Sequence, residues 1–164
     1  MTKDVPIEQF YEAVGKASSA WVSVEDAMLD VFSRLVLISI AGTALSPKPE
    51  GHWVIGNIFY ASTNLRGRLD MIGQIIDRLV ADEDLKLQWK TVDNKISLLY
   101  KRRNVLAHGA VWANESGASI IMGSIFSSQR RSLDYAQTCA CALSFRKLAD
   151  RISAYAVAVN ASLT

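Results

Sequence analysis

The 164-residue chain has few of the residues that build metal sites and disulfide frameworks, with only two cysteines, two histidines and three prolines. Cys139 and Cys141 are two positions apart in a segment of helical pattern, where about 200° of rotation points them to different faces, so they cannot bridge each other. Zinc-finger spacing of Cys and His is missing, and so is the Glu-x-x-His pair of a di-metal bundle. The sequence therefore predicts neither a metal nor another cofactor.

Long apolar runs and a strong excess of one charge are missing as well. The longest apolar stretch, Val31 to Leu45, contains Arg34 and falls short of the roughly 20 residues that cross a bilayer, which excludes a membrane span and a membrane partner. The first residues include acids and an early proline, unlike a signal peptide, so we expect a cytoplasmic protein. Because the net charge is only +2, a partner that carries phosphate groups would have to bind to a local basic patch.

Apolar residues, by contrast, make up 50% of the chain, enough for one globular domain over residues 1–164. Their spacing predicts four long helices: Ile7 to about Leu45, Val54 to Ala81, Asp84 to near Ala107, and Leu133 to about Val159. Between the third and fourth, residues Ala110 to Phe126 favour a short β-hairpin with its turn at Asn114–Gly117. The predicted fold class is all-α, an up-and-down four-helix bundle with a short β-hairpin before the last helix.

Three glycines interrupt the predicted second helix, Gly56, Gly67 and Gly73. Each costs about 1 kcal/mol relative to alanine in a helix interior, so we expect a neighbouring helix to approach closely there. A small-molecule site between the helices is a remaining alternative, although no convergent polar group in the sequence supports it.

One segment, Leu99 to Gly109, combines an acid/base group, anion binders and a helix end. Arg103 offers a fixed fork of donors to a phosphate, and His108 can exchange a proton near neutral pH. Asn104 could orient the histidine or bind a phosphate oxygen. In an unbroken helix Arg103 and His108 are about 7.5 Å apart along the axis and about 140° apart around it, so they meet only if the helix bends or unwinds at its end. Together they suffice in outline for metal-independent RNA cleavage, in which the 2′-hydroxyl attacks the neighbouring phosphorus.

This segment resembles the motif of the HEPN superfamily, in which Arg, four to six residues and His recur near the end of the third helix of an all-helical domain. Here the motif is Arg103-Asn104, three residues and His108, in the Arg-Asn…Ala-His-Gly variant. The resemblance implies an HEPN-like bundle over most of the chain and a ribonuclease that acts as a homodimer, with both motifs in an interface cleft. Arg103 would stabilise the phosphate, His108 would be the acid/base and Asn104 would support them. Such an enzyme fits a toxin or defence role, with a cognate antitoxin as a possible partner.

Two basic clusters flank the predicted hairpin, Lys101-Arg102 before it and Arg130-Arg131 after it, and they suit RNA phosphates. The alternative for these clusters is a solvated surface balanced by Glu115 and Asp134.

The motif itself also allows a structural interpretation. Arg103 would then pair with a carboxylate or with carbonyls, His108 would close the helix end, and Asn104 would make a local hydrogen bond. In that case the chain is a non-catalytic binding or scaffold module, as in superfamily members that have lost activity. Of the four tryptophans, Trp112 is best placed to line a cleft, because it follows His108 closely.

Overall fold

The computed structural model describes residues 5–40, 51–62, 64–113, 119–122 and 132–163, and most of these residues are helical. The helices are α1 (Ile7–Ser39), α2 (Gly51–Ala61), α3 (Leu65–Leu79), α4 (Glu83–His108) and α5 (Tyr135–Leu163). Short strands follow α4 and precede α5, as β1 (Ala110–Ala113), β2 (Ser119–Met122) and β3 (Ser132–Leu133). The predicted all-α class is confirmed at this level. None of the described helices is long and apolar enough to span a bilayer.

The prediction of one second helix from Val54 to Ala81 is wrong, because the structure has two helices there, α2 and α3. Asn64 begins α3 as its N-cap, with an extended backbone, and its side-chain oxygen accepts a hydrogen bond from the Gly67 amide at 2.7 Å. Such a cap satisfies one of the amide groups that a helix start leaves unpaired, which favours a break over continuation. The last residues predicted for the first helix, 41–45, lie outside the described residues.

The three glycines have different surroundings, and only Gly73 lies close to a neighbouring helix of the described structure, as the sequence predicts. A Cβ on Gly67 would collide with the Ser62 hydroxyl, so this glycine serves the turn between α2 and α3. A Cβ on Gly56 would meet no described atom within 4 Å, so the prediction is wrong at that position. A Cβ on Gly73 would lie 3.6 Å from Nε1 of Trp89, an ordinary contact distance.

The described contacts group the chain into two compact units. Unit 1 comprises Met1–Val24 and Ile96–Leu148, and unit 2 comprises Glu25–Lys95 and Ala149–Thr164. Unit 1 has nine basic and five acidic residues, a net charge of +4, whereas unit 2 has nine basic and eleven acidic residues, a net charge of −2. Although the whole chain has a net charge of only +2, the unit that contains the Arg103–His108 segment is basic. The single domain over residues 1–164 stays a prediction.

Unit 1 is built around an aromatic cluster. The ring of Trp21 on α1 lies 5.9 Å from that of Tyr100 on α4 and 5.1 Å from that of Phe145 on α5. Each such pair contributes about 0.5–1.5 kcal/mol beyond its buried area. The strands form one sheet in the order β1-β2-β3 with antiparallel pairing. The turn predicted at Asn114–Gly117 lies outside the described residues.

Unit 2 has its own buried core. Phe32 of α1 packs on Phe59 of α2 with ring centroids 5.3 Å apart, and Trp89 of α4 packs on Tyr155 of α5 at 5.5 Å. Arg68 covers the Phe59 ring with its guanidinium 5.6 Å from the centroid. Two helices of this unit, α3 and α4, are joined by only three residues, 80–82, so they form a helical hairpin.

Candidate functional site

The last turns of α4 place Arg103 at a position that faces the core of unit 1. Ile96, Leu99 and Leu106 are buried, and the spacing of three and four residues puts Arg103 in the same stripe. The Arg103 side chain is partly buried rather than solvated. Arginine at a core-facing position usually has an anionic partner, since an unpaired buried charge is costly.

The described surroundings of Arg103 supply an aromatic ring and an amide instead of a carboxylate. Its Nη1 donates a hydrogen bond of 3.3 Å to Oδ1 of Asn104, and its guanidinium carbon lies 5.7 Å from the Tyr100 ring centroid. No carboxylate of a described residue forms an ion pair with Arg103. Since a guanidinium has five N–H donors, most of its hydrogen-bonding capacity is left for an external anion.

His108 occupies the last turn of α4 and is exposed. The helix does not unwind before it, since the Gly109 amide still donates to the Val105 carbonyl at 2.8 Å. Arg103 and His108 therefore keep the separation of about 140° around the helix that an unbroken α-helix imposes. Their side chains leave α4 in different directions, and the condition for a site within one chain, a bend at the helix end, is not met.

The basic clusters are described only in part. Lys101 and Arg102 are exposed on α4, whereas Arg130 and Arg131 lie outside the described residues. Arg102 lies beside the buried thiol of Cys141 on α5. Burial raises the pKa of that thiol, and the guanidinium partly offsets the rise.

Asp134, which was a candidate to balance these clusters, caps α5 instead. Its Oδ1 accepts from the Gln137 amide at 2.7 Å, and its own amide donates to Oε1 of Gln137 at 3.0 Å. This reciprocal pair is a capping box, in which the carboxylate serves the helix N-terminus. Two further basic side chains of unit 1, Arg146 and Lys147, are exposed on α5. Glu115, the other candidate for balance, lies outside the described residues.

Exposed apolar side chains accompany this basic surface. Trp112 on β1 is 53% exposed, four residues after His108, and Leu98 of α4 and Leu143 of α5 are 55% and 59% exposed. By contrast, Trp21 and Trp89 are buried. Single exposed apolar side chains are normal on protein surfaces, whereas a contiguous patch of them is typical of a surface that binds a partner.

Sequence reasoning missed a polar pocket of about 230 Å³ between α3 and α4 in unit 2. It is lined by ten residues, among them Arg66, Gly73, Asp77, Trp89 and Lys90. Gly73 was the only sequence signal of it, and that signal was ambiguous. Within the described residues, no group of three or more His, Cys, Asp or Glu side chains is arranged to hold a metal ion.

Comparison of the chain with protein-family models, with curated proteins and with solved structures finds no match. The resemblance to the HEPN superfamily therefore stays a prediction. Arguments about function depend on the residues themselves, above all on Arg103 and its surroundings.

Proposed function

We propose that this protein is a metal-independent endoribonuclease of the HEPN type, in an HEPN-like bundle with a β-hairpin before the last helix. The observation that carries the proposal is the partly buried guanidinium of Arg103, for which no described carboxylate acts as partner. A phosphodiester would supply the missing anion with the bidentate geometry that arginine prefers.

The proposed reaction is an intramolecular transesterification of RNA. His108 removes the proton of a 2′-hydroxyl, the 2′-oxygen bonds to the adjacent phosphorus, and the bond from phosphorus to the 5′-oxygen breaks. The products are a 2′,3′-cyclic phosphate and a 5′-hydroxyl, to which a protonated histidine delivers the proton. Arg103 stabilises the charge on the phosphorane oxygens, and the Asn104 amide holds the guanidinium in place.

The RNA backbone would follow the basic surface of unit 1. Lys101 and Arg102 are exposed next to the motif, and the unit as a whole has a net charge of +4. Arg130 and Arg131 would extend this surface. Neutralising phosphates with such side chains releases counterions, so we expect RNA affinity to fall steeply with salt.

A homodimer resolves the separation of Arg103 and His108 around α4. If two copies meet with their motifs facing, Arg103 of one chain and His108 of the other can act on the same phosphate. The exposed Leu98, Leu143 and Trp112 supply apolar area for such an interface. A toxin or defence role follows from cleavage of cellular RNA, and an antitoxin would then bind this same surface.

The direct test is RNA cleavage by the purified protein in excess EDTA. We expect Arg103→Ala and His108→Ala to lose cleavage while their melting temperatures stay within a few degrees of wild type. Arg151→Ala is the matched control, since it removes one exposed arginine from unit 2 and should leave cleavage unchanged. Equal loss in all three variants would mean that charge alone matters and would refute the assigned roles.

Mixing the two inactive variants tests the shared site. If each site takes Arg103 from one chain and His108 from the other, full subunit exchange should restore about a quarter of wild-type cleavage, since half of the dimers are mixed and each has one intact site of two. No recovery after verified exchange would contradict the shared site.

One observation favours a second candidate, a non-catalytic helical binding module. Because α4 remains helical through His108, a single chain does not bring the acid/base to the anion binder. In that case wild type would not cleave total RNA, and both alanine variants would have markedly lower melting temperatures.

A further inference from the structure

The pocket between α3 and α4 contains a buried polar atom without a described partner. Trp89 is 3% exposed, and its Nε1–H, inaccessible to water, donates to no described acceptor. Leaving such a donor unpaired costs on the order of 1–3 kcal/mol, so unpaired groups of this kind need an explanation. An acceptor that enters the pocket would remove the cost.

A glycine faces this indole from the opposite helix. Gly73 of α3 lines the same pocket, and a Cβ added there would lie 3.6 Å from Nε1 of Trp89. The indole N–H therefore lies next to a lining residue that has no side chain. Alanine would favour the helix by about 1 kcal/mol at this position, but it would cover the donor.

Among the residues that line the pocket, Arg66 pairs with both Asp70 and Asp93. Arg66 of α3 donates to Asp70 of its own helix at 2.8 Å and to both carboxylate oxygens of Asp93 on α4, at 3.1 and 2.9 Å. These two carboxylates raise the pKa of Arg66 above its ordinary value. The guanidinium is thus already engaged by carboxylates and is not the group that would hold a ligand.

Lys86 of α4 also lines the pocket and pairs with Glu83 of its own helix at 2.7 Å, and two further charges of opposite sign lie on facing helices. Asp77 is one turn after Gly73 on α3, and Lys90 adjoins Trp89 on α4. Neither forms an ion pair with a described residue. The lining as a whole has three acidic and three basic side chains, so it does not favour a multiply charged anion.

We infer that this pocket binds a small zwitterion of the free amino acid class. The carboxylate of the ligand accepts from Lys90 and, after a small movement of α3 at Gly73 that exposes the donor, from the Trp89 indole. Its ammonium group donates to Asp77. The volume of about 230 Å³ corresponds to roughly seven or eight water-sized volumes, which suits a molecule of about 5–10 non-hydrogen atoms. This site lies in unit 2 and is independent of the proposed ribonuclease function.

The experiment follows the indole N–H signals of the full chain by NMR during titration with glycine, L-alanine, L-serine and L-glutamate. The Trp89→Phe variant identifies the Trp89 signal, because it removes the donor and keeps an aromatic ring. We expect at least one amino acid to shift this signal in a saturable way. Acetate and methylammonium, each with one half of the zwitterion, should bind at least about tenfold more weakly, since each forfeits a charge-assisted hydrogen bond.

Two glycine variants provide a matched pair. Gly73→Ala and Gly56→Ala both add a methyl group inside a helix, and both should raise the melting temperature. Only Gly73→Ala should weaken amino acid binding, by about tenfold or more, because only there does the methyl group meet the indole.

Three results would overturn the inference. The first is a Trp89 signal that responds to none of the amino acids, which would mean that the pocket does not bind them. The second is acetate that binds as tightly as the amino acids, which would make the pocket an anion site. The third is equal binding by the two glycine variants, which would show that Gly73 has no part in binding.

Discussion

The surroundings of Arg103 predict a modest loss of stability when the side chain is removed. In Arg103→Ala, the protein loses the cation–π contact with Tyr100, about 0.5–1 kcal/mol at a partly exposed site. It also loses a long hydrogen bond to Asn104, about 0.5 kcal/mol at 3.3 Å. The total is about 1–1.5 kcal/mol, well below the roughly 3–5 kcal/mol lost when one partner of a buried ion pair is removed.

Urea unfolding measures this difference directly, with fluorescence and circular dichroism followed on the same samples. Arg103→Met removes the same two interactions but keeps most of the apolar stem, so we expect it to lose no more stability than Arg103→Ala. A double-mutant cycle with Tyr100→Leu should give a coupling of about 0.5–1 kcal/mol, the contribution of the cation–π contact. A loss above about 3 kcal/mol in Arg103→Ala that Arg103→Met does not recover would refute this reasoning. It would mean that a carboxylate outside the described residues pairs with Arg103, as the structural interpretation of the motif requires.

Two further variants test local features of the fold. Asn64→Ala should lower the free energy of unfolding by about 1 kcal/mol, because α3 loses the acceptor of the Gly67 amide. The control Asn94→Ala, inside α4, should be neutral or stabilising in the same urea assay. Equal effects of the two substitutions would contradict the role of Asn64 as the N-cap of α3. Burial raises the pKa of Cys141 in the folded protein, so its contribution to stability is fully present below about pH 8.5, the ordinary pKa of a thiol, and is lost as the pH rises above that value. The urea concentration at the unfolding midpoint should therefore fall less between pH 7.5 and 9.5 in Cys141→Ala than in wild type or Cys139→Ala. The same pH dependence in all three proteins would contradict a raised pKa of Cys141.

The helical content and the end of α4 were predictable from the sequence, because apolar spacing and a following glycine are local signals. The break between α2 and α3 was not recognised, since Ile58, Leu65 and Leu69 continue a helical pattern across it. The signal was there in Asn64, a preferred N-cap residue three positions before Gly67. A capping hydrogen bond depends on one side chain, and a search for apolar periodicity does not detect it.

The candidate site was predictable in its residues but not in its geometry. The spacing of Ile96, Leu99 and Leu106 already places Arg103 in the buried stripe of α4. Whether a carboxylate reaches it depends on residues far away in the sequence, which spacing cannot reveal. The pocket beside Trp89 is of the same kind, because it requires a glycine on one helix to lie opposite an indole on another.

The positions of the tryptophans have a consequence for following the unfolding of this protein. Trp21 is buried in unit 1 and Trp89 in unit 2, and each has a tyrosine ring within 6 Å. Trp53 and Trp112 are exposed, so replacing both with phenylalanine would leave one tryptophan in each core. Trp21→Phe and Trp89→Phe in that background would then report each unit separately. Coincident transitions would show that the chain unfolds as one cooperative body, and separate transitions would show that the two units unfold independently.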